Sequence, residues 1–208
     1  MSDSKSITSP TDGQPATRDR LVEAASALFS RYGYAATGVK AVLAAADAPY
    51  GSLYHWFPGG KKQLGVAVLA KGGAHNRALI EERYPANCDV VAATATSFLE
   101  AADLLEATSY ADACPIATIA LEVASSDEEM RTTAAEAFES WLAIFEHNFK
   151  AAGMAPERAR EVAVEVFCLM EGAMMLSRTS RSVDSLNTAG RAAARAVAAG
   201  LADARKES

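Results

Sequence analysis

The 208-residue sequence is short of what a metalloenzyme, a disulfide-stapled secreted domain or a membrane protein needs. Cysteine occurs three times, at Cys88, Cys114 and Cys168. An odd number so widely spaced, with no CxxC pair, supports neither a disulfide framework nor a zinc cluster. Histidine is as sparse, with His55, His75 and His147 forming no HxxxH pair. No metal or other cofactor is therefore expected. No apolar run approaches the ~20 residues of a bilayer span, so no membrane partner is expected. The opening MSDSKSITSPTDGQPATRD lacks the apolar centre of a secretory signal, which makes the cytoplasm the expected location. Strand signals are missing throughout, and the absence of any 20–50-residue period excludes a solenoid.

What remains is an apolar, helix-forming chain with an uneven charge. Half of the residues are hydrophobic, which is ample for a core, and the formal charge is −6. Residues 1–80 hold nine Lys and Arg against five Asp and Glu, a net +4, and the rest is net −10. A small basic unit on a larger acidic one is the distribution of a polyanion-binding module joined to a separate regulatory body.

The pattern predicts an all-α fold. Residues 1–16 read as a disordered tail rich in Ser, Thr, Pro and Gly. A first helix starts near Thr17, placed to cap it, and carries Leu21, Ala24, Ala25, Leu28 and Phe29 at helical spacing. Gly33 is placed to end it in a left-handed turn. A second, short helix is expected over about 38–46, with Thr37 as its cap. A third is expected from Pro49 to Trp56, where the missing proline N–H is harmless. Lys61 opens a long fourth helix that Pro85 stops. Further helices are expected near 88–107, 115–125, 127–152, 157–179 and 185–204. The division read from this is a helix-turn-helix unit over 17–60, a connecting helix over 61–84, and a ligand-binding and dimerisation domain over 85–208.

Three short helices with a tight turn before the third form a unit that places small and hydrogen-bonding residues outward and apolar ones inward. Tyr50-Gly51-Ser52-Leu53-Tyr54-His55-Trp56 has that make-up. The stretch 18–64 resembles the TetR/AcrR family of bacterial repressors. Ala25, Leu28, Phe29, Gly33, Tyr34 and Thr37 meet the first half of the family pattern. Gly51, Leu53, Tyr54, Phe57, Lys61 and Leu64 meet the second. The Pro58-Gly59-Gly60-Lys61 spacing resembles the branch of LmrA-like lincomycin-resistance repressors, which Cys114-Pro115 at a helix start also fits. The resemblance implies DNA contacts from Thr37, Tyr50, Gly51, Ser52, Tyr54, His55 and Lys61. Thr37 and Tyr54 would meet phosphate, and Tyr50 and Ser52 would read bases. Asp47 and Pro49 stand where the family often has Gly and Ser. Tyr50, where the branch often has Lys or another polar residue, implies a shifted sequence preference.

In the acidic body, Phe138, Trp141 and Phe145 share one arc of the 127–152 helix, and Asn148 lies about 20° from Trp141 on the wheel. This wall suits either a small-molecule pocket or a plain core. The resemblance favours a pocket, with Phe167, Met170 and Met174 added from the nearly all-apolar segment 161–177. It implies a small apolar or aromatic inducer. It also implies a homodimer joined through the last two helices, for which Val162, Val166, Ala173, Ala189, Ala193 and Ala196 are the candidates. Two-fold symmetry then matches a double-stranded, pseudo-palindromic operator. Gly72-Gly73 in the connecting helix reads as a point of compliance.

Three other functions are weighed. A protein-binding scaffold without DNA activity would leave the basic helix-turn-helix face without a role. A helical small-molecule enzyme would need organised acid–base groups, yet no spacing joins Glu122, Glu171 and His147. A redox or electrophile sensor would use Cys114, whose place at a helix start lowers a thiol pKa.

Overall fold

A computed structural model of the protein describes residues 16–111 and 114–204, so the sequence-predicted tail over 1–16 lies almost wholly outside the described residues. Among those residues the chain forms nine α-helices and no strand. They are α1 (Thr17–Tyr32), α2 (Val39–Ala45), α3 (Ser52–Trp56), α4 (Gly60–Arg83), α5 (Val90–Ala107), α6 (Pro115–Val123), α7 (Glu128–Ala151), α8 (Pro156–Ser180) and α9 (Asp184–Ala204). No helix is long and apolar enough to cross a membrane among the described residues.

Local chemistry explains the ends. Asp89 caps α5 by accepting from the Val91 and Ala92 N–H groups, and Asp127 caps α7 by accepting from Met130 N–H. Pro115 and Pro156 occupy the first turns of α6 and α8, where no intrahelical N–H bond is due. Thr17 lies just inside α1 instead of capping it, because Ala16 holds that position. The third helix is shorter than its pattern suggests. Pro49 sits in a turn whose carbonyl accepts from Ser52 N–H, and helix begins only at Ser52.

Two apolar clusters organise the chain. In the first, Phe29, Val42, Leu53 and Phe57 of the small N-terminal unit continue into Leu64, Val68, Ile116, Ile119, Met130 and Trp141. The second joins Tyr84, just after α4, with Phe98, Phe145, Phe149, Val162, Val166 and Leu186 from α5, α7, α8 and α9. Helix α4 serves both and lies along α7.

The close contact of α4 and α7 corrects the reading of Gly72-Gly73 as a soft joint. A Cβ on Gly73 would stand 2.8 Å from Ala137 Cβ, and one on Gly72 would stand 2.9 Å from Ile116 Cδ1. The Trp141 indole N–H also donates to the Gly73 carbonyl at 2.9 Å. These glycines let helices touch. A Gly73→Ala variant is accordingly expected to be less stable by about 1–3 kcal/mol from overpacking, outweighing the ~1 kcal/mol that alanine contributes to a free helix. Chemical denaturation decides the sign, since a joint that merely bends would gain stability from the same change.

The last two helices bring a second correction. Val162, Val166, Ala173, Ala189 and Ala193 are all buried inside one chain. Ala196 is half-buried on the same helix. Small residues let α9 lie against α5 and α8, so the stripe was consumed within the chain and is not an outer surface.

Candidate nucleic-acid interface and internal cavity

Helix α3 carries two opposite faces within five residues. Leu53 is 0% exposed and Phe57, just after the helix, is 2% exposed, which anchors α3 to the α1–α2 core. Between and before them, Tyr50 is 67% and Tyr54 54% exposed. Gly51 and His55 are exposed, and Ser52 is half-buried. Nothing lies within 4 Å of where a Gly51 Cβ would be, so the backbone there is open to a partner. Trp56 and His55 meet edge to face with ring centres 5.0 Å apart at the rim of this surface.

The turn before α3 is strained and clamped. Asp47 has φ 46°, a left-handed conformation that an Asp side chain tolerates better than most. Arg20 of α1 fixes it, its guanidinium donating to the Ala46 carbonyl at 3.1 Å and to the Asp47 carbonyl at 3.4 Å. Sequence reasoning missed Arg20. A basic residue on the polar side of α1 gives no sign that it reaches a turn so far along the chain.

Thr37 departs from its assigned role. Only 4% exposed, it donates its hydroxyl to the Gly33 carbonyl at 2.7 Å and points towards Leu28 O, back into the end of α1. Its side chain seals the α1–α2 turn and does not face a phosphate, and Gly38 holds the cap position of α2. Lys61 lies at the start of α4. Its ammonium donates to the Ala35 carbonyl at 3.2 Å and lies 4.4 Å from the Tyr34 ring centre. Partial burial holds it below the usual lysine range, against the pull of Glu122.

The same turn is gripped from the body. Glu122, near the end of α6, accepts from Tyr34 N–H at 2.9 Å and from Ala35 N–H at 2.6 Å. Gly33 makes this possible. It has φ 88° and ψ 158°, a glycine conformation that is not the left-handed helical cap expected, and a Cβ there would stand 2.6 Å from the Glu122 carboxylate.

The other end of α6 faces a cavity of about 280 Å³ lined from α4, α5, α7 and α8. Five of the seven expected pocket residues line it: Trp141, Phe145, Phe167, Met170 and Met174. Phe138 stands behind them, its ring centre 5.4 Å from both Trp141 and Phe167. Asn148 is away from the cavity, spending its amide N–H on the Ile144 carbonyl at 2.9 Å. The wheel placed Asn148 near Trp141 in angle, but it sits almost two turns further along the axis. Tyr84, Phe98, Cys114 and Glu171 are among the other lining residues and were not picked out as pocket residues beforehand. Burial pushes the Tyr84 phenol up to about 12, and it pairs with Thr94 Oγ1 at 2.8 Å.

Cys114 reverses its expectation. Burial, with the Glu171 carboxylate close by, drives its thiol up to about 12, overriding the benefit of the α6 start. The protonated thiol donates to Glu171. A thiol held in this form is a poor nucleophile and a poor redox sensor.

Comparison with known proteins agrees with this arrangement. Residues 21–68 match the family described as bacterial regulatory proteins, tetR family. Residues 90–192 match the C-terminal domain of LmrA/YxaF-like transcriptional regulators. The chain is 32% identical over 165 residues to the HTH-type transcriptional regulator YxaF of Bacillus subtilis, covering 79% of this chain and 86% of that protein. It is 28% identical over 166 residues to the HTH-type transcriptional regulator LmrA of the same organism, covering 80% and 88%. The crystal structure of a regulatory protein TetR from Rhodobacter sphaeroides superposes with a TM-score of 0.79 at 20% identity, over 86% of this chain and 98% of that one.

Proposed function

The chain belongs to the TetR family of transcriptional regulators, and on that premise we propose that it is a dimeric repressor that a small ligand releases from its operator. The family relationship makes it a regulator and not an enzyme. The α3 surface carries the DNA-reading part of the proposal. An apolar underside fixes the helix, its Tyr54 and the preceding Tyr50 and Gly51 backbone are exposed, and Ser52 is half-buried. Tyr50 and Ser52 are assigned to base edges. Tyr54, His55 and Lys61 are assigned to the sugar–phosphate backbone.

The pairing of two chains is assigned to the outer face of α8. Val164, Cys168 and Met175 recur there at helical spacing, exposed to solvent, with Leu176 beside them. This face takes the place of the buried residues first expected to pair. Two α3 helices related by a two-fold axis suit a pseudo-palindromic site. The cavity over α7 and α8 is the ligand site, its aromatic and thioether lining suited to a flat apolar body.

Fluorescence anisotropy with DNA from upstream of the protein's own gene tests this. Specific retention is expected, with affinity falling steeply as salt rises, because each phosphate neutralised releases counterions. Equal retention of unrelated duplexes at every salt concentration is the result that would sink the proposal.

A further inference from the structure

Glu171 is an acid in an apolar place. It projects from α8 into a cavity whose other walls are mostly rings, aliphatic chains and thioethers. Among the described residues its side-chain hydrogen-bond partner is the Cys114 thiol, a weak donor. Arg83 of α4 is the only Lys, Arg or His among the described residues lining the cavity, and it is ion-paired with Glu100 of α5. Tyr84, just after α4, already shares its hydroxyl with Thr94. Helix α7 contributes Trp141 and Phe145, neither of them charged. Among the described residues, then, no cation on the cavity wall is matched to the Glu171 carboxylate.

Leaving a carboxylate so placed is costly, and an apolar residue of similar size would be cheaper. The arrangement becomes favourable once a positive group enters. Trp141 and Phe167 line the same cavity, with ring centres 5.9 Å apart and near perpendicular, so a cation held there has aromatic rings on its wall. Met170 and Met174 adapt their shape to the remainder of a guest.

We infer that the cavity takes a small molecule with a flat apolar body and one protonated amine, the ammonium pairing with Glu171 and the body lying against Trp141, Phe145 and Phe167. This rests on the reading of the cavity as the ligand site and adds the charge of the ligand to it. Burial raises the Glu171 carboxyl to about 7. Below that value it is protonated and offers no charge, and above it the carboxylate awaits a cation. Binding an ammonium favours the charged form, so near neutrality the complex forms with release of a proton.

Isothermal titration of the full-length protein with three matched probes tests the inference: 2-naphthylmethylamine, 2-naphthylmethanol and 2-naphthoate. At about pH 8 the amine is expected to bind about tenfold tighter than the alcohol, with naphthoate weakest. The advantage is expected to shrink as pH falls to about 6, while the alcohol's affinity stays flat. In Glu171→Gln, amine and alcohol should bind alike at both pH values. The wild-type pH series carries the test independently of how that variant folds. An alcohol that binds as well as the amine, or an amine preference that survives Glu171→Gln, overturns the charge assignment but leaves the cavity as a ligand site. Failure of all three probes to bind overturns both.

Discussion

A Tyr50→Ala, Tyr54→Ala double variant is expected to lose at least about a hundredfold in affinity for its specific DNA while melting close to the parent protein. Both rings are more than half exposed and neither belongs to an apolar core. The Tyr54 ring lies over Gly60, 3.5 Å from where a Cβ would be, which is a light contact. Each good base or phosphate contact is worth about 1–3 kcal/mol, and a two-headed complex loses each contact twice. Leu53→Ala is the contrasting control. It removes a side chain with no exposure and should lower stability by about 2–5 kcal/mol. Anisotropy at fixed salt, paired with circular dichroism melts, separates the two. If the double variant keeps its affinity, α3 is not the reading helix.

The second large effect is expected at Trp141, where truncation to alanine should cost about 3–5 kcal/mol of folding stability. The side chain is 2% exposed and touches Phe138 and Phe167. Its indole N–H ties α7 to the Gly73 carbonyl of α4. It also belongs to the cluster that runs from the N-terminal unit into the body and forms part of the cavity wall. Trp141→Phe keeps most of the apolar contact and loses the hydrogen bond, so a smaller loss of about 1–2 kcal/mol is expected. Urea unfolding measures both. A Trp141→Ala loss under about 1 kcal/mol would mean that the site collapses around the gap.

The helices were legible because their ends carry local chemistry: Asp89, Asp127, Pro115 and Pro156 act within their own turns. The face of α3 was legible for a related reason, since Leu53 and Phe57 at helical spacing fix which side turns inward. Thr37 and Asn148 were misjudged through an ambiguity that sequence does not resolve. A hydroxyl or amide near a helix can serve a partner outside it or bond back to a carbonyl four residues earlier, and both chose the latter. The small residues of α9 carried a similar ambiguity, because close packing within a chain and between chains leaves the same pattern. Glu122 and Glu171 owe their roles to partners distant in sequence, which no periodicity reports.

Helix α6 has nine residues, a span of about 13 Å at the usual rise per residue. Its first turn borders the cavity at Cys114 and Pro115, and its last grips Tyr34 and Ala35 through Glu122. A hydrogen-bonded rod this short neither compresses nor curves appreciably. A guest that displaces Pro115 by a fraction of its own width must shift the whole strut. Glu122 then either carries the α1–α2 corner along or lets it go. Because that corner leads directly into α2 and then α3, the proposed repressor would receive a shove inside the body as a change of tilt at Tyr50 and Tyr54.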